Sequence, residues 1–284
     1  MKAPKFDFER AESVAHALQL LADAGADARI IAGGQSLIPA LNARMAAPTV
    51  LIDIGNIAEL RAISVAGGVL RIGALARHAD IMRSPLVARH APLMAQAVQH
   101  IAHPAIRNRG TIGGSLGLAD PAAEWPACVV ALDARIVIAG PSGEREVAAA
   151  DFFEGVYTVA LEQNEMIVRI DVPVAQSGDR FVFDEISRRR GDFAIVGLAI
   201  SWRGGETGAL RFVFLGVGDR PEPVDIAAAD FLARLRADDI DDVVAQATAG
   251  LDPSDDPYVS TEYRLHLARV LCARLIRRMT EVRA

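Results

Sequence analysis

The sequence predicts a protein of mixed helices and strands that divides into two domains near residue 177. In the first part, segments with helical periodicity alternate with short apolar strands. After the polar break AQSGDR, three strands follow one another through Gly-rich and charged turns, which is typical of an antiparallel meander. The chain has 284 residues, of which 51% are hydrophobic, so it can form two cores of ordinary size.

Periodicity, apolar runs and turn residues give the order of elements in the first part. In chain order we predict a helix in RAESVAHALQLLADAG, a strand in ARIIAGG, a short helix in SLIPALNARMAAP, a strand in TVLIDIG, a strand and a helix in GGVLRIGALARHADIMRS, one helix in PLVARHAPLMAQAVQHIA, one in PAAEWPACVVALDA, a strand and turn in RIVIAGPSGEREV, and a strand in EMIVRIDVPV. Ser36 is the expected N-cap of the short helix.

The second part is predicted to contain a sheet followed by helices. Its strands are expected in RFVFDEISRR, FAIVGLAISWRG and GALRFVFLGVG, and its helices in VDIAAADFLARLR, DIDDVVAQATAG and STEYRLHLARVLCARLIRRM. In the last helix, apolar residues form a stripe beside an Arg-rich face. That stripe predicts an amphipathic helix.

Composition and charge exclude several classes of protein. The formal net charge is −6 and the basic residues are scattered, so we expect no nucleic-acid partner. Apolar runs stop well short of the roughly 20 residues of a membrane span, and the N-terminus lacks the apolar region of a signal peptide. We therefore expect a cytoplasmic protein without a membrane span. Two distant cysteines, Cys128 and Cys272, support neither a disulfide framework nor a four-thiolate iron–sulfur cluster.

Two similar glycine segments carry the chemical signal. They are AGGQS, Ala32–Ser36, and TIGGS, Thr111–Ser115. A glycine pair lets backbone N–H groups converge on a ligand with no Cβ in the way, and each serine adds a hydroxyl. These groups suit phosphate oxygens, and two such segments together could enclose the pyrophosphate of a dinucleotide. Ordinary tight turns are the alternative interpretation.

Other motifs fit less well. Neither segment is a G-x-G-x-x-G fingerprint or a P-loop. The residues Gly113–Gly117, GGSLG, match the G-x-S-x-G nucleophile elbow of α/β-hydrolases, with Ser115 as nucleophile. The base would then have to be His266, which lies on a predicted amphipathic helix, and no HGGG-type segment precedes the serine. A serine hydrolase is therefore a remote alternative.

The glycine segments and their surroundings resemble a known family. AGGQSLIPALNARMAAPTVLIDIG followed by RNRGTIGGSLGLADPAAEWPA resembles the FAD-binding medium subunit of molybdenum hydroxylases, the carbon monoxide dehydrogenase medium-subunit family, which is homologous to the flavin domain of xanthine dehydrogenase. FDEISRRRGDFAIVGLAISW resembles the start of that family's C-terminal domain. The resemblance implies an α+β fold: a two-lobed FAD-binding domain in residues 1–176, with the lobe boundary near residue 56, and a smaller domain of antiparallel sheet and helices in residues 177–284.

The resemblance also implies a role in electron transfer. FAD, held non-covalently, would receive electrons from two [2Fe–2S] clusters on a small subunit and pass them to an external acceptor. A large subunit would carry the molybdenum cofactor and oxidise the substrate, and the complex would be a dimer of heterotrimers. This chain would hold no metal, and none of its residues would be catalytic toward the organic substrate. The sequence leaves open the identity of that substrate and of the electron acceptor.

The resemblance implies roles for particular residues of this chain. Two groups would enclose the pyrophosphate from opposite sides, namely Ala32, Gly33, Gly34, Gln35 and Ser36 on one side and Thr111, Ile112, Gly113, Gly114 and Ser115 on the other. Ile101 would pack on the flavin, and Ile167 would line the cofactor; core packing is the alternative for both. Glu124 would bind the hydroxyl-bearing part of FAD unless it is a solvated helix residue, and Asp120 would be a second polar contact.

The sequence departs from the family at a few positions. GLADPAAE stands where relatives often have AHADPAAE, and Glu185 stands where they often have lysine. The basic run Arg188–Arg190 is a solvated turn, a subunit contact or a flavin-edge loop with Phe193 as its aromatic residue.

A stand-alone FAD-dependent oxidoreductase is the main alternative function. Such enzymes often link flavin to His or Cys, and His100 and His103 stay open for that role. A scaffold subunit with an empty site is a third.

Overall fold

A computed structural model of the chain describes residues 2–237, 239–253 and 255–281. The α+β class and the two-part organisation are confirmed. The strands are β1 (Asp7–Arg10), β2 (Ala28–Ile31), β3 (Val50–Asp53), β4 (Ile63–Ala66), β5 (Val69–Gly73), β6 (Arg135–Gly140), β7 (Gly143–Ala148), β8 (Phe153–Gly155), β9 (Thr158–Val159), β10 (Met166–Pro173), β11 (Arg180–Ser187), β12 (Ala194–Arg203), β13 (Ala209–Leu215) and β14 (Pro223–Ala227).

The helices alternate with these strands in the first part and gather at the end of the chain. They are α1 (Val14–Ala24), α2 (Leu37–Asn42), α3 (His78–Arg83), α4 (Pro85–His90), α5 (Pro92–Ala97), α6 (Pro104–Arg107), α7 (Ile112–Leu118), α8 (Glu124–Ala131), α9 (Ala149–Phe152), α10 (Ala228–Arg236), α11 (Ile240–Thr248) and α12 (Thr261–Glu281). Within the described residues, none of these helices combines the length and apolar character of a membrane span.

The first lobe is a small parallel sheet in the order β1-β3-β2. Helix α1 begins at Ser13, whose hydroxyl accepts a hydrogen bond from the His16 N–H, and ends at Gly25, whose φ of 72° favours glycine. Ala17 and Leu21 face the core of this lobe. Strand β2 then delivers the chain directly into the first glycine segment.

The second lobe is built on a five-stranded antiparallel sheet in the order β4-β5-β10-β6-β7. Helices α5, α7 and α8 cover one side of it and supply much of a large apolar core. Trp125 and Phe152 are fully buried there. Burial of side chains of this size stabilises the lobe by about 2–3 kcal/mol each, so α8, which carries Trp125, is held firmly in this core.

The C-terminal part is an antiparallel sheet in the order β11-β12-β13-β14, covered on one side by α10, α11 and α12. Its other side packs on the second lobe, because Phe183, Ala199 and Val213 belong to the same core as α5 and α8. Gln96 on α5 reinforces this contact: its amide donates to the Phe181 carbonyl at 3.1 Å and accepts from the Phe183 N–H at 3.1 Å.

The elements that differ from the sequence predictions include the following three. The segment expected to be one helix is two, α4 and α5, because Pro92 cannot continue a helix and Ala91 before it takes a φ of −139°. The segment VDIAAADFLARLR begins as strand β14 and becomes helical at Ala228. Strand β1 was missed because its four side chains are exposed and show no alternation.

Candidate functional site

The two glycine segments meet in the structure, although about eighty residues separate them. Gly33 lies against the backbone of Arg109 and Gly110, immediately before the second segment: a Cβ added at Gly33 would lie 2.9 Å from the Gly110 Cα and closer still to the Arg109 carbonyl oxygen. Only glycine allows two backbones to approach this closely. The first lobe and the second lobe therefore touch through these segments.

The first segment forms an open loop between β2 and α2. Gly34 adopts a φ of 73°, and the Gln35 amide donates to the Gly33 carbonyl at 3.2 Å. Ser36 occupies the N-cap position of α2 as expected, but its hydroxyl makes no capping hydrogen bond and the side chain is exposed. Among the described residues, the N–H groups of residues 33–36 donate no hydrogen bond. The loop thus presents unused donors.

The second segment is not a turn but the beginning of α7. Thr111 is the N-cap, and its hydroxyl accepts from the Gly114 N–H at 3.2 Å. The N–H groups of Ile112 and Gly113 donate to the carbonyls of Ala76 and Ala74, and a Cβ at Gly113 would lie 2.7 Å from the Ala74 Cβ. Glycine is required here so that α7 can press on the loop after β5.

A cleft of about 1020 Å³ runs between the lobes along both segments. Thirteen of the fourteen residues predicted to bind the cofactor line it: Ala32, Gly33, Gly34, Gln35, Ser36, Ile101, Thr111, Gly113, Gly114, Ser115, Asp120, Glu124 and Ile167. Ile112 does not, since its side chain is fully buried in the core of the second lobe. The structure therefore gathers residues that are widely separated in sequence around one elongated cleft.

Apolar side chains form part of the wall of the cleft. Ile101 and Ile167 are each 7% exposed, so both the core and the cleft contribute to their surroundings. Next to Ile101, Ala102 adopts a φ of 40°, which is unusual for a residue other than glycine. The Arg107 guanidinium donates to the carbonyls of both residues, at 2.7 and 2.9 Å, and so holds this segment in place.

Carboxyl groups form a polar part of the wall of the cleft. Asp120 accepts from the Ala122 N–H at 2.9 Å and from the Tyr157 hydroxyl at 3.4 Å. Burial raises the pKa of Glu124 to about 8, and the charge of Glu185 and then that of Asp120 add to the effect. A half-buried carboxyl group that lines a cleft and has a pKa this far from its usual value is typical of a functional site.

His78 was missed by sequence reasoning, although it lines the cleft. It is 5% exposed, accepts a hydrogen bond from the Trp125 indole at 3.0 Å, and lies so close to Gly110 that a Cβ there would be 2.7 Å from its Nε2. Burial, and then the Arg107 charge, lower the pKa of His78 to about 4. Its sequence position after a predicted strand gave no signal of these contacts.

We expect His78 to make the protein sensitive to acid. Because the pKa of His78 falls from 6.5 when unfolded to about 4 when folded, the unfolded state binds more protons, and stability is lost as pH falls from 6.5 toward 4. The loss is about 3 kcal/mol from this group. Urea unfolding of the wild type and His78→Gln at pH 7 and pH 4.5 measures it; an equal acid loss in both proteins would contradict the assignment.

The serine hydrolase alternative is not supported by the local geometry. Residues Gly113–Gly117 lie wholly inside α7, so Ser115 does not sit on a sharp turn between a strand and a helix. His266 lies on α12, where its ring stacks on Tyr263 with ring centroids 6.4 Å apart.

The two histidines considered for a covalent flavin link, His100 and His103, lie before α6, and His103 lines the cleft.

Comparison with known proteins defines the class of protein. Residues 4–175 match the family described as the FAD binding domain in molybdopterin dehydrogenase, and residues 181–279 match the CO dehydrogenase flavoprotein C-terminal domain. Together these two matches cover nearly the whole chain. The chain therefore belongs to the family of FAD-binding subunits of molybdenum hydroxylases, and the resemblance to that oxidoreductase family is confirmed.

Individual relatives agree with the family assignment. The chain is 40% identical over 282 residues to 6-hydroxypseudooxynicotine dehydrogenase complex subunit alpha of Paenarthrobacter nicotinovorans, covering 97% of this chain and 95% of the relative. Among solved structures, it is similar to carbon monoxide dehydrogenase from Hydrogenophaga pseudoflava, with a TM-score of 0.90 and 34% identity, and to quinoline 2-oxidoreductase from Pseudomonas putida 86, with 0.89 and 36%. Each match covers 99% of both chains.

Proposed function

We propose that this chain holds FAD non-covalently in the cleft between its lobes and relays electrons from iron–sulfur clusters of a partner subunit to an external acceptor. The observation that carries the proposal is the meeting of the two glycine segments along a single cleft. FAD supplies the chemistry, because a flavin can take up electrons singly and release them singly or in pairs, and the protein positions and tunes it.

The residues present fit FAD in three respects. The loop of residues 33–36 offers unused N–H donors and the Ser36 hydroxyl to phosphate oxygens. Glu124 offers a carboxyl group to the hydroxyl-bearing part of the cofactor. Ile101 and Ile167 provide an apolar surface for a flat ring. These two polar groups and this apolar wall suit the pyrophosphate, the hydroxyl-bearing part and the flat flavin ring of the cofactor.

The positions of the two cysteines and of Phe193 support the relay role. Its two cysteines are fully buried in two different cores, so within the described residues neither faces the cleft. We infer that the clusters and the molybdenum cofactor reside on a small and a large partner subunit. Phe193 lines the cleft and is 73% exposed, which leaves an aromatic surface at its edge for an incoming acceptor or subunit.

Purification tests both halves of the proposal. We expect the isolated chain to bind one FAD, measured by quenching of flavin fluorescence, and to show no turnover of an organic substrate by itself. A tagged chain expressed in its native cells should copurify with subunits that bring molybdenum and iron, and reduction of that complex by substrate should bleach the flavin band. A chain that takes up no FAD overturns the proposal, and turnover without partners would indicate a stand-alone oxidoreductase.

A further inference from the structure

Tyr157 has an unusual backbone conformation in the short hairpin of β8 and β9. Gly155 pairs with Thr158, so Val156 and Tyr157 form the two-residue turn between the strands. Tyr157 has a φ of 54°, in the left-handed region. A turn whose second central residue has a positive φ usually carries glycine or asparagine there, because a Cβ is crowded in that conformation. A bulky aromatic residue at this position is therefore unfavourable for the fold.

Burial does not explain the tyrosine. The residue is 59% exposed, whereas Phe152 and Phe153, just before the turn, are buried in the core of the second lobe. A ring that stays largely exposed gains little of the free energy of burial, so packing does not offset the unfavourable backbone. Backbone strain of this kind is found most often at functional sites.

Two polar contacts hold Tyr157 at the end of α7. Its N–H donates to the carbonyl of Ala119 at 3.3 Å, and Ala119, the C-cap of α7, itself has a φ of 53°. Its hydroxyl donates to Oδ2 of Asp120 at 3.4 Å, which is long for a hydrogen bond between two oxygens. Burial, and then the Asp120 charge, raise the pKa of Tyr157, so the hydroxyl keeps its proton at neutral pH. Tyr157 and Asp120 both line the cofactor cleft.

The same end of α7 contacts the apolar wall of the cleft. Gly117, two residues before Ala119, lies beside Ile167, since a Cβ added at Gly117 would be 3.7 Å from the Ile167 Cδ1. Ile167 belongs to the apolar surface that suits the flat flavin ring, and Gly117, Ile167 and Tyr157 all line the cleft. The end of α7 therefore places the tyrosine in the same part of the cleft as Ile167.

We propose that Tyr157 is a further cofactor-contacting residue, whose aromatic ring contacts the flavin ring of bound FAD and whose hydroxyl is oriented by Asp120. The proposal rests on the proposed function. An aromatic side chain that stacks on a heterocyclic ring contributes to affinity. Because the contacts with Ala119 and Asp120 fix the residue before the cofactor arrives, little of its conformational freedom is lost on binding. The turn then carries tyrosine for the cofactor and not for the fold.

The stability of the ligand-free protein separates these two roles. Tyr157→Gly removes the crowded Cβ from the left-handed position, and this gain is set against the greater freedom of glycine in the unfolded chain. The midpoint of urea unfolding should therefore be equal to that of the wild type or higher. Val156→Ala is the matched control in the same turn: Val156 is 46% exposed and does not line the cleft. A clear fall of the midpoint in Tyr157→Gly alone would show that the tyrosine serves the fold, and would overturn the proposal.

FAD affinity provides the second test, measured by calorimetry. Tyr157→Gly should bind FAD about tenfold more weakly or worse, because an aromatic stacking partner is lost. Tyr157→Phe keeps the ring and should bind nearly as tightly as the wild type, and Val156→Ala should bind as the wild type does. Wild-type affinity in Tyr157→Gly overturns the proposal.

The emission of the bound flavin provides the third test. A tyrosine in contact with a flavin quenches its fluorescence by transferring an electron to the excited ring, and phenylalanine does not. Flavin bound to Tyr157→Phe should therefore emit more strongly than flavin bound to the wild type; equal emission overturns the contact with the flavin ring. Failure of the wild-type chain to bind FAD overturns the proposed function instead, while a Tyr157→Gly midpoint that does not fall still supports a role for Tyr157 outside the fold.

Discussion

Gly33→Val is expected to abolish detectable FAD binding, with a loss of affinity of about 100-fold or more. The added Cβ would enter the backbone of Arg109 and Gly110, which cannot move aside as the end of a side chain could. The two glycine segments would be forced apart, at a cost of about 1–3 kcal/mol in overpacking, and the phosphate-binding groups would lose their common geometry. Flavin fluorescence titration measures the affinity, and circular dichroism checks the fold.

Gly250→Ala is the matched control for this change. Nothing lies within 4 Å of a Cβ added at Gly250, which follows α11 far from the cleft, and its φ is ordinary. We expect wild-type affinity for FAD in this variant. If Gly33→Val bound FAD as tightly as Gly250→Ala, the close approach of the two segments would not matter for the cofactor.

Arg264→Met is expected to destabilise the C-terminal part by about 2–4 kcal/mol, because two backbone carbonyls would each lose a charged hydrogen-bond donor. Arg264 is 9% exposed and donates to the carbonyls of Ile195 and Gly216 at 2.8 and 2.9 Å, and it also pairs with Asp256. Methionine keeps much of the volume but leaves both carbonyls without a donor. Urea unfolding, with tryptophan fluorescence as the signal, measures the change.

Arg274 on the same helix gives a control of equal chemistry. Its side chain is 50% exposed, and its ion pair with Asp184 is 3.2 Å long. Exposed pairs of this kind contribute at most about 1 kcal/mol, so Arg274→Met should change the midpoint very little. Comparable losses in the two variants would show that the arginines of α12 stabilise the sheet through general packing rather than through the Arg264 hydrogen bonds.

Much of the fold and the cleft could be predicted from the sequence because the signals are local or belong to a distinctive motif. Helix α1 has regular apolar periodicity, with a serine before it and a glycine after it, and these features predict where it begins and ends. The two glycine segments were predicted to act together because their flanks match, and the structure places both along one cleft. What each residue does to FAD remains a prediction.

The parts that escaped prediction depend on partners distant in sequence. Nothing near His78 indicates that it pairs with Trp125, 47 positions later. Ile112 resembles its neighbours in the motif, but the helical start of α7 turns its side chain into the core. Glu185 stood out only as a departure from the family, and its burial became visible only when β11 was placed against α5 and α8.

The contact between Gly33 and the Arg109 backbone has a consequence for how the protein matures. Neither glycine segment can complete the cleft until the chain between them has folded, so we expect the cleft to form later than the local helices and hairpins around it. Contacts across such a sequence separation are slow to form because loop closure must precede them. A ligand that binds only the finished cleft stabilises the native state by mass action. Binding of the cofactor then distinguishes chains whose cleft is complete from chains in which it has not yet formed.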